Sequence, residues 1–423
     1  MLTGLLIAAF LIYAAISAIR PAWGLYAILA LLPAYQIRFF VFGLPTTFLE
    51  GMLLILAVVT IFQSIKLKTW KTKFRGLAWP IFFILLFVAA GIVSILVSPV
   101  LIKALGVFKA YVLEGVLFWV LCLLLIDSKT KLYRCFGALG FLVAYLSVFG
   151  IYQFFTLYHL PPAWWGPGLE PRRVVSLYNY PNAVALIVTP ILSFLTALVF
   201  LRHLDKNLPY KWLLIPILSG GALLFLSFSR GAWLGYIVSL LALLFFLPRK
   251  KLFVSLVLAA ICLLLIIPGS RERLWPALLG RDPAGLERIK LWQTGVQIIK
   301  AQPIFGSGLM GFREWYGAYR PSAQDEILNY PHNFFLNFWI EMGLAGLISV
   351  LGLFYWTASK AKEIFKTLPE TKLLVAACVC GLVALFVHGQ LDAPFFKNDL
   401  AILFWFLLAI IPVLHSMNTS QET

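Results

Sequence analysis

Apolar residues fall in long continuous runs along the chain, separated by short polar segments. A run of about 18 or more apolar residues is long enough to cross a bilayer as a helix. The runs are rich in Leu, Ala, Phe and Ile, and they do not alternate with polar residues as membrane strands do. The pattern therefore predicts an all-α integral membrane protein with about 12 to 13 transmembrane helices.

The predicted spans are 2–19, 22–37, 46–65, 78–97, 101–126, 133–157, 183–201, 211–228, 231–247, 252–268, 333–357, 372–390 and 399–415. The second span is short and contains Pro33, so twelve crossings plus a re-entrant or interfacial piece fit equally well. The N-terminus lacks a basic segment and a cleavage site, which favours a retained first helix over a signal peptide. We predict one membrane domain over residues 1–415 and a polar cytoplasmic tail over 416–423.

A long polar segment, residues 269–331, separates the tenth and eleventh spans and is large enough to hold structure of its own. Asp282-Pro283 is a good helix start, because an acid caps the first turn and proline fits its first position. Apolar residues then recur at helical spacing until Pro303. We predict a partly helical loop that contains an amphipathic helix near the membrane surface.

The chain is 62% hydrophobic and only 12% charged, with a net charge of +17. The basic residues form short clusters after odd-numbered spans, which places those loops in the cytoplasm and disfavours nucleic acid as a partner. The five clusters are Lys66, Lys68, Lys71, Lys73 and Arg75; Lys129, Lys131 and Arg134; Arg202, Lys206 and Lys211; Arg249, Lys250 and Lys251; and Lys360, Lys362, Lys366 and Lys372. The long loop then faces the periplasm or the cell exterior. The five cysteines show no metal-ligand spacing, and we expect small buried side chains rather than a metal site.

Arginine is concentrated in the predicted outer loops, where lysine is sparse. These arginines are Arg172, Arg173, Arg230, Arg271, Arg273, Arg281, Arg288, Arg313 and Arg320. A guanidinium grips phosphate or carboxylate in a bidentate way, so the set favours a site for an anionic, phosphorylated ligand. The alternative is interfacial snorkelling together with ion pairs to Glu272, Asp282, Glu287 and Glu314.

Arg230 and His332 are the most informative single positions. Arg230 lies in a tight Ser-Arg-Gly turn between two spans, and an arginine at membrane depth marks a functional site by default. His332 lies where the long loop re-enters the membrane, and histidine is the side chain most easily poised as a base near neutral pH. Asn333 could cap the next helix, and Asp392 on the last outer loop could orient a histidine or an arginine.

Four motifs occur in order on the predicted outer face. They are Arg173 through Pro181-Asn182; Ser229-Arg230-Gly231-Ala232; Arg288 through Trp292 followed by Pro303, Gly306, Gly308 and Phe312; and His332-Asn333 followed after nine residues by Gly343-Leu344-Ala345-Gly346. Together they resemble motifs of the O-antigen ligase and Wzy-type polymerase superfamily of bacterial glycan transferases. Ser176 departs from the family pattern, which has glycine at that position.

The resemblance implies transfer of a glycan from an undecaprenyl-diphosphate-linked donor to an acceptor hydroxyl, with inversion and without a metal or other cofactor. Arg230 and Arg288 would bind the diphosphate and stabilise the leaving group, and His332 would accept the proton of the acceptor. The further candidates for substrate binding are Arg172, Arg173, Asn333 and Asp392. The implied acceptor is lipid A core or another glycan or lipid, and the implied location is the cytoplasmic (inner) membrane.

The motifs do not separate a ligase from a polymerase of O-antigen, capsule or exopolysaccharide, although the His-Asn motif favours a ligase. A protein-glycosylating relative also fits. A secondary transporter is a candidate of another class, but the chain shows no repeated halves. A wall glycosyltransferase of the shape, elongation and division type would use an acid in the long loop, such as Asp325 or Glu326.

Overall fold

The computed structural model describes residues 2–41, 43–67, 73–166, 171–206, 208, 210–247, 250–322 and 327–419. The helices are α1 (Leu2–Ile19), α2 (Pro21–Ala30), α3 (Phe48–Leu67), α4 (Ala78–Val97), α5 (Leu101–Leu125), α6 (Lys129–Thr156), α7 (Pro181–Phe200), α8 (Tyr210–Leu226), α9 (Arg230–Leu243), α10 (Lys250–Ile266), α11 (Pro268–Leu278), α12 (Pro283–Ala301), α13 (Gly311–Tyr319), α14 (Phe334–Thr367), α15 (Lys372–Gly389) and α16 (Asn398–Thr419). Asp325 and Glu326 lie outside the described residues.

Eight helices of the described chain are long and apolar enough to cross a membrane: α3 to α7 and α14 to α16. A ninth span arises if α10 and α11, which meet at 90°, are counted together. Four shorter apolar helices, α1, α2, α8 and α9, cover the remaining predicted spans. The predicted all-α, multi-pass membrane architecture is therefore confirmed.

The second predicted span differs from the structure. Helix α2 ends at Ala30, and a short 3-10 helix over Leu32–Gln36 continues the path. Proline cannot donate the backbone hydrogen bond that an α-helix needs, so Pro33 accounts for the change. The chain then forms a two-stranded antiparallel hairpin, β1 (Arg38–Val41) and β2 (Leu44–Thr47), which the apolar pattern did not predict.

The centre of the bundle is formed by α7 and α16, which are almost wholly buried among the other helices. Helix α7 packs against α15, α8 and α9, whereas α16 packs against α5. Aromatic rings fill the space where α4, α14 and α16 meet, with Phe87 near both Phe338 and Trp405. The helices α7, α9 and α15 therefore have fixed positions, and one end of each contributes to the cavity described below.

The long segment between α10 and α14 contains three helices, α11, α12 and α13. Helix α12 begins after Asp282, whose side chain accepts the backbone N–H of Gly285, with Pro283 in the first position. The predicted start of this helix is confirmed, and α11 and α13 were not predicted. Helix α16 continues to Thr419, which extends into the segment predicted as a tail.

Several predicted basic loops lie together at the end of the bundle where α6 begins. Lys129 at the start of α6 donates to the carbonyl of Glu370 before α15. A cavity of about 1240 Å³ at this end is lined by Lys129, Arg134 and Lys206 among other residues. We call this the lysine end. Lys68, Lys71 and Arg249 lie outside the described residues.

Candidate functional site

A cavity of about 520 Å³ lies at the other end of the bundle, between α9, α15 and the helices of the long segment. Its polar lining comes from Arg173, Asn182, Ser229, Arg230, Arg273, Asp282, Arg288, His388 and Asp392. Apolar side chains such as Leu234, Leu274 and Trp292 complete the wall. The structure therefore gathers four of the outer-loop arginines, at positions 173, 230, 273 and 288, around one space, which we call the arginine cavity.

Arg230 is the first residue of α9 and points toward the start of α12. Its Nη2 lies 2.6 Å from Oδ2 of Asp282, and its Nη1 donates to the carbonyl of Arg273 at 3.1 Å. Burial raises the pKa of Asp282, but the hydrogen bond and charge of Arg230 outweigh it, so the net pKa is below the ordinary value. Arg230 thus forms one of the ion pairs that the sequence offered as an alternative to ligand binding. This ion pair joins α9 to the long segment.

Arg288 lies about one turn into α12 and reaches toward the loop after α15. Its Nε donates to the carbonyl of Leu391 at 2.8 Å, and its Nη1 donates to the carbonyl of Ala284. Burial lowers the pKa of Arg288, Asp392 opposes this, and the nearby charge of Arg230 lowers it further. A half-buried guanidinium whose contacts are carbonyls is well placed to receive an anion.

Arg173 and Arg172 point to different places. Arg173 donates to the carbonyl of Ser227 at 2.9 Å and to Oδ1 of Asn182 at 3.0 Å, which holds it at the cavity wall. Arg172 instead donates to the carbonyls of Trp165 and Phe154 and does not line the cavity. The structure therefore supports Arg173, and not Arg172, as a neighbour of the other candidate residues.

His332 and Asp392 form a pair at the edge of the arginine cavity: Asp392 lines the cavity, whereas His332 lies beside it and is not among the lining residues. Nδ1 of His332 lies 2.8 Å from Oδ1 of Asp392, and the carboxylate also accepts the backbone N–H of Ala393. Burial raises the pKa of Asp392, but the charge and hydrogen bond of His332 more than offset it, so the carboxylate is ionised. The His332 side chain is 30% exposed, whereas that of Asp392 is 7% exposed. Asp392 thus orients a histidine, one of the two roles that its position in the sequence allowed.

The backbone around His332 holds the ring in place. His332 has a φ of 51°, a left-handed conformation that non-glycine residues adopt rarely and that is often found at functional sites. The next residue, Asn333, caps α14 by accepting the N–H groups of Phe335 and Leu336. Its Nδ2 donates to the carbonyl of Gln390. Asn333 therefore links the start of α14 to the loop that carries Asp392, and it does not line the cavity.

The glycines of the last two motifs fix the contact between α12 and α14. Helix α14 breaks at Gly343, where φ is 68° and ψ is −175°. The break lets the N–H of Leu344 donate to the carbonyl of Ile304 at 2.9 Å, and the N–H of Ser307 donate to the carbonyl of Ile340 at 2.7 Å. A Cβ at Gly343 would collide with the carbonyl of Ile304. The two glycine motifs therefore secure the helix of Arg288 to the helix that follows His332.

Ser176 takes the conformation that glycine would favour, although the family pattern has glycine here. Its φ is 53°, its N–H donates to Oε1 of Gln153 at 2.8 Å, and its hydroxyl donates to the carbonyl of Leu146. These hydrogen bonds stabilise a backbone conformation that costs a non-glycine residue free energy. The departure in sequence thus leaves the loop of Arg173 in a glycine-like conformation.

His388 is a cavity residue that the sequence did not single out. It is 1% exposed and lies near the end of α15. The one clue in the sequence was its position one helical turn before Asp392. Among the described residues, no group of three or more His, Cys, Asp or Glu side chains is arranged to hold a metal ion.

Known proteins share this sequence pattern. Residues 212–351 match the family model described as O-Antigen ligase. The teichuronic acid biosynthesis protein TuaE of Bacillus subtilis is 23% identical over 403 residues, which covers 90% of this chain and 81% of that protein. An uncharacterized protein of Haemophilus influenzae is 26% identical over 189 residues, which covers 38% of this chain and 46% of that protein.

Three of the four motifs lie inside the matched region. These are the Ser-Arg-Gly turn, the arginine-to-phenylalanine stretch of α12 and α13, and the His-Asn motif with its glycines. The region thus holds Arg230, Arg288 and His332 together. Residues 212–351 of this multi-pass membrane protein match the O-Antigen ligase family, and the resemblance predicted from the motifs is confirmed.

Proposed function

We propose that this protein transfers a glycan from an undecaprenyl-diphosphate-linked donor to an acceptor hydroxyl, on the outer face of the cytoplasmic membrane. The family match and the relative TuaE support glycan transfer or polymerisation in general. The observation that carries the finer proposal is the arginine cavity with the His332–Asp392 pair at its edge. This arrangement combines arginines that can bind an anionic leaving group with a histidine that can accept a proton.

The arginine cavity suits a diphosphate. Arg173, Arg230 and Arg288 place three guanidinium groups around one space, and each can bind phosphate oxygens in a bidentate way. Asp282 is the anion that Arg230 contacts in this structure, and a bound diphosphate would compete with it. When the glycan leaves, negative charge grows on the diphosphate, and fixed cations stabilise it.

His332 is suited to accept the proton of the acceptor. The Asp392 carboxylate accepts Nδ1–H, so the basic nitrogen of the neutral ring is Nε2. In the proposed step, the acceptor oxygen attacks the anomeric carbon while its proton passes to Nε2 of His332. The bond between the anomeric carbon and the phosphate oxygen breaks, and the polyprenyl diphosphate leaves toward the arginines. Attack opposite the leaving group inverts the anomeric centre.

Polymerisation is the second candidate within the same chemistry. Here the acceptor is another glycan on the lipid carrier rather than lipid A core. The relative that covers 90% of this chain bears the name of a teichuronic acid biosynthesis protein. That name favours growth of a surface polysaccharide, whereas the His-Asn motif favours ligation.

Reconstitution in liposomes tests the proposal. A lipid-diphosphate-linked glycan is supplied with either a lipid A core acceptor or a second carrier-linked glycan, with and without EDTA. We expect the wild type to transfer glycan in both conditions. His332→Ala should lose at least about 100-fold of the rate, and Arg230→Ala should lose about 100-fold or more. Arg271→Ala, which removes an exposed arginine of α11, is the matched control and should keep wild-type rates.

The outcomes separate the alternatives. The acceptor that becomes extended distinguishes a ligase from a polymerase. Full activity of His332→Ala would remove His332 as the base. Loss of transfer with EDTA would contradict a metal-independent reaction. Solute uptake by liposomes that show no transfer would favour a secondary transporter.

A further inference from the structure

His388 lies against the Ser-Arg-Gly turn, inside the wall of the arginine cavity. A Cβ at Gly231 would come within 3.0 Å of Cδ2 and 3.3 Å of Nε2 of the His388 ring. Gly231 itself lines the cavity, as does His388. The ring edge that carries Nε2 therefore faces the turn that presents Arg230. The close approach explains why glycine follows the arginine, since any side chain there would push into this ring.

The His388 ring is buried without a protein partner for its Nδ1. The residue is 1% exposed, and no described group hydrogen-bonds to Nδ1. Buried polar side chains are nearly always hydrogen-bonded, so an exception calls for an explanation. The packing of α9 against α15 does not supply a partner for Nδ1. The two helices approach closely here at Gly235, where an added Cβ would lie 2.9 Å from the carbonyl oxygen of Ala384. Because no acceptor lies at Nδ1, the proton of the neutral ring is better placed on Nε2, on the ring edge that faces the Ser-Arg-Gly turn.

The charged surroundings of His388 favour an anion in the cavity. Asp392 and Arg288 are the charged groups that act on it most strongly, and Asp392 is already bound to His332. Arg230 and Arg173 line the same space. A histidine ring retains an N–H donor in either protonation state. Beside three guanidinium groups, that donor complements a phosphate oxygen.

We infer that Nε2–H of His388 donates a hydrogen bond to a phosphate oxygen of the lipid-diphosphate donor. This inference rests on the proposed function and adds a donor-binding residue to the arginines. His388 is contributed by α15 and lines the same cavity as Arg230 and Arg288. His332, by contrast, lies beside the cavity, bonded to Asp392, and acts on the acceptor. The two histidines thus serve opposite sides of the reaction.

The roles of the two histidines predict different kinetic effects. His388→Leu removes the hydrogen bond and replaces the ring with an apolar side chain of similar volume. We expect the donor KM to rise roughly 10- to 100-fold, since a hydrogen bond to a charged group is lost, while the acceptor KM stays unchanged. His388→Gln keeps an N–H donor near the position of Nε2 and should recover most of the donor affinity. His332→Ala should lower kcat and leave the donor KM near the wild-type value.

Inorganic diphosphate provides a binding test that does not depend on turnover. We expect it to raise the unfolding temperature of the detergent-solubilised full chain. The rise should be kept in His332→Ala and His388→Gln and lost in His388→Leu. If the leucine variant does not fold, His388→Met replaces it with a flexible apolar side chain.

The two arms distinguish failure of the inference from failure of the proposed function. A leucine variant that folds and keeps both the wild-type donor KM and the diphosphate response would overturn the role of His388 alone. If the glutamine variant loses donor binding as fully as the leucine variant, packing rather than a hydrogen bond is the cause, and the inference fails. A wild type that neither responds to diphosphate nor transfers glycan would contradict the donor site itself.

Discussion

At the scale of residues, two carboxylates decide what the basic side chains of the site can do. Asp282 holds Arg230 at 2.6 Å and also caps α12, whereas Asp392 holds His332 at 2.8 Å. The sequence singled out Arg230, in a tight turn between two spans, and His332, where the long loop re-enters the membrane, and the motif resemblance added Arg288. It could not show which acid each would meet, since the partners lie 52 and 60 residues away and the pairing depends on tertiary packing.

Asp392→Asn tests whether the carboxylate acts through His332. Asparagine keeps the size but presents a neutral amide, so the favoured ring tautomer is no longer fixed and the positive charge of a protonated ring is not balanced. We expect kcat to fall about 100-fold with the donor KM little changed. The measurement is steady-state transfer at varied donor concentration. Asp127→Asn, at an exposed acid near the lysine end, is the control and should behave as wild type.

The carboxyl group of Asp392 also makes the stability of the protein depend on pH. The pKa of Asp392 is lowered in the folded protein, so its contribution to stability is present above the ordinary value near 4 and is lost as the pH falls below it. Wild type should therefore be more stable than Asp392→Asn at neutral pH, and the difference should shrink below about pH 4. A difference that grows on acidification would contradict the ion pair.

At the scale of elements, apolar runs predicted the long helices well, because a span of 20 apolar residues has few other stable forms in a membrane. The start of α12 was also predictable from Asp282 and Pro283, since capping is local. The pairing of β1 with β2 and the break at Gly343 were not predicted. Both depend on how one segment meets another, as when the segment after α12 donates and accepts hydrogen bonds across the break in α14.

Gly343→Ala tests the importance of that break. The backbone at φ 68° and ψ −175° is accessible mainly to glycine, and a Cβ would collide with the carbonyl of Ile304. We expect a loss of at least about 2 kcal/mol in the free energy of unfolding, together with loss of transfer, because the helix of Arg288 is no longer held against α14. Thermal unfolding in detergent with a transfer assay measures both effects.

The matched control for this change is Gly221→Ala in α8. Nothing lies within 4 Å of the added Cβ, and the backbone there is helical. Alanine should stabilise the helix by about 0.5 to 1 kcal/mol and leave transfer unchanged. If the two variants unfolded at the same temperature, the break in α14 would be dispensable for the fold.

At the scale of the whole molecule, the two ends differ in the kind of cation that they carry. The lysine end gathers Lys129 and Lys206, and the arginine cavity lies at the other end of α7 and α15. Helix α7 connects the two ends directly, from Asn182 at the cavity to Arg202 just beyond its last turn. Alternation of basic loops along the sequence predicted this division, because each span reverses the direction of the chain. The sequence could not predict the shape of the cavity, which requires five separate helices, α7, α9, α11, α12 and α15, to converge.

The proposed function requires the arginine cavity to face away from the cytoplasm, and cysteine labelling tests this orientation. Cys262 is exposed and is first replaced by alanine, whereas the other four cysteines are buried. A single cysteine is then placed at Arg281, beside the cavity, or at Lys362, near the lysine end, both of which are exposed. We expect a membrane-impermeant maleimide to label Arg281→Cys in intact spheroplasts and Lys362→Cys only after detergent is added. The positive-inside rule supports this result, because it places the lysine-rich loops, and with them the lysine end, in the cytoplasm. The reverse labelling pattern would place the cavity on the cytoplasmic side. The clustered arginines would then meet nucleotide-linked sugars and soluble phosphates instead of an outward-facing lipid-linked glycan. The proposed reaction would have to be abandoned, because its donor would be on the opposite side of the membrane.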